Sequence, residues 1–234
     1  MARLAAIIPV LDEETAIADV VRGMRVHVPT VIVVDGNSKD RTVARAQDAG
    51  AQVIVENRRG YGRAIQAGLA ALPSNIEIVV FVDGDGSDRI ELVADLIAPL
   101  LAGRADFVHG TRIRGEREPG ALSLPQIVAG HLAGLLIRLL YRTRYTDMSP
   151  FRAITRDALQ RLGMQDQTFG WNLEMQMRAA ARGLRIVEVP VGQKRRQGGV
   201  SKVSGDLITA LRVVWVLTRT SLRLAATLRR EKQA

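Results

Sequence analysis

Short apolar runs recur along the first half of this 234-residue chain, and most stop at an acidic residue or a glycine. Leu4–Val10 leads into Asp12-Glu13-Glu14. Val31–Val34 closes on Asp35-Gly36-Asn37-Ser38. Gln52–Val55 precedes Arg59-Gly60-Tyr61-Gly62-Arg63. Glu77–Val82 ends in Asp83-Gly84-Asp85-Gly86, and Asp106–His109 in Gly110-Thr111-Arg112. Between them lie helical patterns, such as Ile17, Val20, Val21 and Met24 on one stripe. Strands alternating with helices at this spacing predict an α/β fold, a parallel sheet with helices on both faces. Ligands of such sheets bind beyond the carboxyl ends of the strands. Asp35, Asp83, Asp85 and Arg112 all fall just after a strand, so the fold gathers them along one rim.

The acidic turn at Asp83–Gly86 is the strongest chemical signal. Alternate strand residues face the same side, so Asp83 and Asp85 point together. Paired carboxylates resist joint ionisation unless a cation lies between them, and oxygen ligands suit Mg²⁺ or Mn²⁺. Alone, the tetrapeptide equally describes an acidic turn after any strand. The chain has neither a dinucleotide fingerprint after its first strand nor a Walker-type GKS or GKT loop, which argues against those nucleotide folds.

Beyond residue 110 the composition shifts. Arg114–Gly120 reads as a mobile loop that orders on substrate binding. Leu122–Ile137 carries no formal charge, but its clean apolar part falls short of the roughly 20 residues of a bilayer span. It predicts a buried or membrane-facing helix, or an oligomer interface. Tyr145–Arg152 reads as a turn, Trp171–Ala181 as a helix carrying Glu174, and Arg185–Val189 as the last strand. Lys194–Lys202 is a basic, glycine-containing loop. From about Leu207 the tail is a helix with Arg212, Arg219, Arg223 and Arg230 on one stripe and Leu207, Val214, Leu217 and Leu228 opposite. That pattern fits a helix packed on its own domain or one docked on an anionic membrane surface.

The net charge is +9, so polyanionic or phosphorylated partners are favoured. Aromatic residues are only 4%, which leaves no stacking platform, and no nucleic-acid reader motif is present. A basic nucleic-acid-binding protein thus rests on charge alone. The chain has no Cys, which excludes disulfides and thiolate metal sites. The N-terminal run is too short for a signal peptide, so a cytoplasmic protein is expected.

In order, IIPVLDEE, VVDGNSKDRT, RGYGRAIQAG, VDGDGSDRIE, GTR, DMSPFR and RRQGGVSK resemble the motifs of family 2 glycosyltransferases of the GT-A fold. Within them the chain resembles the dolichyl-phosphate mannosyltransferase-like, polyprenyl-phosphate branch, although Gly120–Ile137 lacks the Arg usual there. The resemblance implies a Rossmann-like GT-A domain with a mostly parallel sheet over residues 1–205. Its donor half is 1–110, its acceptor half 111–205, and a basic amphipathic helix follows at 206–234. It implies that Pro9, Glu13, Asp35, Gly62, Asp83, Gly84 and Asp85 hold a nucleotide-diphospho-sugar. Asp83, Asp85 and Ser87 would hold Mg²⁺ or Mn²⁺. Arg112, Arg152, Arg196, Ser201 and Lys202 would hold the acceptor phosphate. Catalysis would be inverting and would fall to Asp85, Arg112 and Glu174, with Glu174 or Asp147 as base for a hydroxyl acceptor. The expected acceptor is a polyprenyl phosphate at the inner membrane surface. A soluble hydroxyl or phosphorylated acceptor is the alternative.

Overall fold

A computed structural model describes residues 3–197 and 207–233. Ser201 and Lys202 lie outside the described residues, as do the side chains of Leu207, Arg212, Val214 and Leu217. Among the described residues, seven strands form one sheet: β1 (Leu4–Val10), β2 (Thr30–Asp35), β3 (Gln52–Val55), β4 (Ile78–Phe81), β5 (Phe107–Thr111), β6 (Arg152–Thr155) and β7 (Ile186–Pro190). Their order is β3-β2-β1-β4-β6-β5-β7. Every described pairing is parallel except those of β6, which runs against both β4 and β5. The sheet is therefore mostly parallel, as the family resemblance implies, with β6 the reversed strand among those described.

The reversal positions the site. The other six strands bring their carboxyl ends to one rim. β6 brings its amino end there, placing Arg152 opposite Phe81 in one ladder and His109 in the other. DMSPFR thus delivers its last residue to the acidic turn as the first of a strand.

Strand alternation divides the core into two layers. Ile7, Ile32, Val34, Val79, Phe81 and Phe107 face one side. There they meet α3 (Tyr61–Ala70), α6 (Arg156–Leu162) and α7 (Trp171–Ala181). Ile8, Val31, Val33, Val80, Val82 and Val108 face the other side, against α1 (Ile17–Arg25) and α4 (Val93–Leu101). These side chains are nearly all fully buried, each contributing about 1.5–3 kcal/mol against exposure. The stripe Ile17, Val20, Val21 and Met24 is the buried face of α1.

Two long helices complete the layer of α3, α6 and α7. α5 (Leu124–Tyr141) starts at a capping box between Ser123 and Gln126, and α8 spans Leu207–Gln233. By length and composition alone α5 could cross a membrane. It packs against α7 and α8, burying Ala129, Ala133 and Ile137, while Gly130 and Gly134 let the turn at Tyr145–Met148 approach closely. α8 in turn packs on α5 and α7, burying Ser221, Ala225 and Leu228, while Arg219, Arg223 and Arg230 are exposed. Its buried stripe is thus spent on its own domain. α2 (Thr42–Asp48) lies beside β2 and β3.

Candidate active site

The first two strand ends are stitched together. Asp35, 2% exposed, accepts from the backbone N–H groups of Asn37 and Ser38, each at 3.0 Å, and from the Ser38 hydroxyl. Ser38 Oγ accepts from the N–H of Asp12 at 2.8 Å, and Thr42 Oγ1 from that of Glu13 at 2.8 Å. Asp12 and Asn37 both take positive φ, a conformation Asn and Asp tolerate better than most residues. A fixed shelf results, with Pro9 in β1 behind it and Glu13 on its edge.

The acidic turn closes on itself. Asp88 Oδ2 accepts from the N–H of Asp83 at 3.0 Å, and Asp85 Oδ1 from that of Ser87 at 2.9 Å. Gly84 lies so close to β1 that a Cβ there would come within 2.4 Å of Val10 Cγ1, so only glycine fits. Ser87 Oγ accepts from Gln193 Nε2 at 3.2 Å. The segment after β7 is laced to the same turn: Lys194 N–H donates to Ser87 O and Gln197 N–H to Asp85 O. Arg196 then bridges two parts of the rim. Its Nη2 is 2.7 Å from Glu13 Oε1, and its Nε is 3.8 Å from Asp85 Oδ2.

Three carboxylates crowd this turn. Desolvation pushes Asp83 well above the usual carboxylate range, and the charges of Asp88 and Asp85 push it further. Burial raises Asp88 to about 7. Arg112 and Arg152 oppose both shifts, so their guanidinium groups lie within electrostatic reach. Asp88 Oδ1 is buried without a hydrogen-bond partner. Among the described residues no three His, Cys, Asp or Glu side chains form a ready-made metal cage. Mg²⁺ and Mn²⁺ sites in nucleotide enzymes commonly use one or two carboxylates plus substrate phosphates, and Asp83 with Asp85 fits that pattern.

Several side chains read as site residues are held by the protein itself. Arg112, 8% exposed, forms a two-point pair with Asp147 through Nε at 2.7 Å and Nη2 at 2.8 Å. Burial works to raise Asp147, but the Arg112 hydrogen bonds and charge hold it at about 2. Arg152 is fully buried and donates to the carbonyls of Ser149, Pro150 and Asn172. Glu174 accepts from the N–H groups of Gln165 and Asp166 and from Arg178 Nε. That engagement leaves neither Asp147 nor Glu174 as placed with a carboxylate aimed at a substrate proton. Ser87 stays beside Asp83 and Asp85, its hydroxyl turned to Gln193.

Sequence reasoning missed Asp88, Gln193 and Tyr61. The signal for Asp88 was local: an Asp five residues after Asp83 can reach back to that residue's N–H. Tyr61 senses the Asp83 charge and stacks on Phe169, with ring centroids 6.2 Å apart.

The family model described as glycosyl transferase family 2 matches residues 5–163. The chain belongs to glycosyltransferase family 2. The uncharacterized glycosyltransferase Rv0539 of Mycobacterium tuberculosis is 38% identical over 206 residues, covering 87% of this chain and 91% of that protein. A dolichyl-phosphate hexose transferase of Haloferax volcanii is 31% identical over 229 residues, covering 94% and 96%; the lipid in that name belongs to that protein. Glucosyl-3-phosphoglycerate synthase from Mycobacterium tuberculosis, solved with Mn²⁺, uridine-diphosphate-glucose and phosphoglyceric acid, superposes with TM-score 0.73 at 22% identity. That match covers 96% of this chain and 80% of the synthase, and it shows the GT-A fold.

The solved structures correct the expected branch and acceptor. Several that match 96% of the chain were solved with phosphoglyceric acid, a small phosphorylated acid, where a polyprenyl phosphate was anticipated. The membrane-surface reading falls with it, since the buried stripe of α8 covers α5 and α7.

Proposed function

We propose that this chain is a cytoplasmic, metal-assisted glycosyltransferase that moves a sugar from a nucleotide-diphospho-sugar to a soluble phosphorylated acceptor. The observation that carries the reading is the convergence at the acidic turn. Asp83 and Asp85 stand there beside the shelf of Asp35 and Glu13, with Arg196, Arg112 and Arg152 brought in from three other elements.

Departure of a nucleoside diphosphate builds negative charge on its bridging oxygen. A divalent ion held by Asp83 and Asp85 would neutralise that charge. The shelf from Asp35 to Ser38 and Glu13 supports the nucleotide side, and Gly84 lets the acidic turn seat closely on β1. Arg196 suits the acceptor phosphate, because a guanidinium offers two parallel donors to a phosphate and stays charged. Glu13 and Asp85 hold Arg196 at the rim until a phosphate competes for it. Ser201 and Lys202, outside the described residues, follow Arg196 in sequence and are assigned to the same phosphate. Arg112 and Arg152 set the local potential from beneath. Family 2 membership supports net inversion at the anomeric carbon.

The test is transfer of labelled sugar from UDP- and GDP-sugars, with Mn²⁺, to phosphoglyceric acid and other small phosphorylated acids. Product should be anionic and water-soluble, with the anomeric configuration inverted. Asp85→Asn should lower kcat by about 10²-fold or more, the scale on which lost transition-state electrostatics acts. Equal transfer to the dephosphorylated acceptors, or label passing only into added lipid phosphates, would overturn the reading.

A further inference from the structure

The segment between α6 and α7, residues 163–170, is held from both sides. On its inner side it covers the first turn of α3. The N–H groups of Gly62 and Arg63 donate to Thr168 O and Gln167 O, each at 3.1 Å. The fit is close: a Cβ on Gly60 would lie 2.2 Å from Gln167 O, and one on Gly62 would lie 2.2 Å from Asp166 O. Two donors that an open helix start would offer to an anion are therefore satisfied by this segment.

On its outer side the segment hangs on a buried charge relay. Glu174, 4% exposed, accepts from Asp166 N–H at 2.7 Å and Gln165 N–H at 3.0 Å. Arg178, 1% exposed, donates from Nε to Glu174 at 2.8 Å and from Nη1 to Leu162 O at 3.2 Å. The remaining reach of Arg178 goes to the far end of α8. Its Nη1 lies 2.9 Å from Glu231 Oε2 and its Nη2 lies 3.2 Å from Glu231 Oε1. Arg182 braces the same carboxylate at 3.1 Å. A buried guanidinium that loses a carboxylate partner is poorly compensated and seeks a new arrangement.

The tip of the segment lies where α3 begins. Phe169 is 68% exposed and stacks on Tyr61, the first residue of α3, at an interplanar angle of 24°, and α3 follows the carboxyl end of β3, on the rim that carries the site. The carbonyl oxygen of Asn172, at the start of α7, accepts from Arg152 Nη1 at 3.1 Å.

We propose that Glu231 is a positioning residue. Through Arg178 and Glu174 it holds segment 163–170 on α3, and thereby places the Tyr61–Phe169 stack that flanks the donor sugar. The consequence for catalysis rests on the proposed transferase function; the mechanical link does not. Both are tested on the full chain with Glu231→Gln and Glu231→Ala, using Arg230→Ala on the same exposed turn as control. Hydrogen exchange at Gln165, Asp166 and the amides of Gly62 and Arg63 should quicken about tenfold in the Glu231 variants and not in the control, as for loss of a charged hydrogen bond. The KM for the nucleotide sugar should rise several-fold while kcat stays within about twofold, as when ground-state and transition-state binding weaken alike. Unchanged exchange in both Glu231 variants would overturn the link. Faster exchange with KM and kcat both unaltered would overturn the positioning role. If no nucleotide sugar is turned over even by the parent chain, the transferase reading fails and the exchange result still decides the link.

Discussion

His109 and Asp147 lie together beneath the rim, and the fold favours the deprotonated form of both. His109 Nε2 meets Asp147 O at 3.0 Å, and burial lowers the imidazole to about 3. A group whose folded pKa is depressed stabilises the fold fully above its unfolded value, and that contribution is lost as pH falls. For His109 the window runs from about 6.5 down toward 3. For Asp147 it runs from 3.8 down toward 2. Asp88, raised to about 7, acts the other way and loses stability as pH rises through that value. His109→Gln leaves both carboxyl groups in place, so the difference between the two chains isolates the histidine. Between pH 6.5 and 4 the parent should lose up to roughly 1.4 kcal/mol per pH unit relative to the variant. Urea midpoints across that range check it, and parallel lines would refute it. The residue scale also shows what sequence could not give. Asp83 and Asp85 are legible because spacing alone puts them together. The Arg112–Asp147 pair joins residues 35 apart, and nothing local announces it.

Among the elements, the seam between α3 and segment 163–170 is a close backbone contact. Gly62→Ala puts a methyl carbon against Asp166 O and its carbonyl carbon, which are backbone atoms with no rotamer to yield. Overpacking of this kind costs about 1–3 kcal/mol, and the lowered urea midpoint should accompany faster exchange at Gln165 and Asp166. At α6, Thr155 accepts from the N–H of Ala158 at 3.3 Å, so Thr155→Ala should cost about 1 kcal/mol with activity retained. Elements with a clear period were readable from sequence, as the buried stripe of α1 shows. β6 was not. It has four residues, opens on a charged side chain and follows Pro150 in a stretch rich in turn formers. Only the gap between β4 and β5 makes a strand of it. α6 escaped for a related reason, since seven residues give too few turns to show a stripe.

For the whole molecule, ligand linkage gives the broadest check. A nucleotide sugar bound with Mn²⁺ only to the folded chain at 100 times its Kd adds about 2.7 kcal/mol, visible as a rise in Tm. The rise should vanish without the metal and in Asp83→Asn. The +9 charge predicts that the KM for a phosphorylated acceptor climbs with ionic strength, because screening weakens long-range attraction to the basic rim. The architecture was largely legible, since alternating strands and helices already implied a sheet with its site at the carboxyl edge. The acceptor was not. A guanidinium grips the phosphate of a lipid and that of a small acid by the same two hydrogen bonds, so motif chemistry alone could not choose between them.

The reversed strand carries one further consequence. Arg152 shares the face of Phe81, His109 and Ile154, while Ala153 points into the aliphatic layer with Val80 and Val108. A slip of β6 by a single residue would swing the guanidinium into that layer, away from the three carbonyls that receive it. Misaligned assembly would strand a charge in oil, so the arginine acts as a proofreading tooth for the one strand inserted backwards.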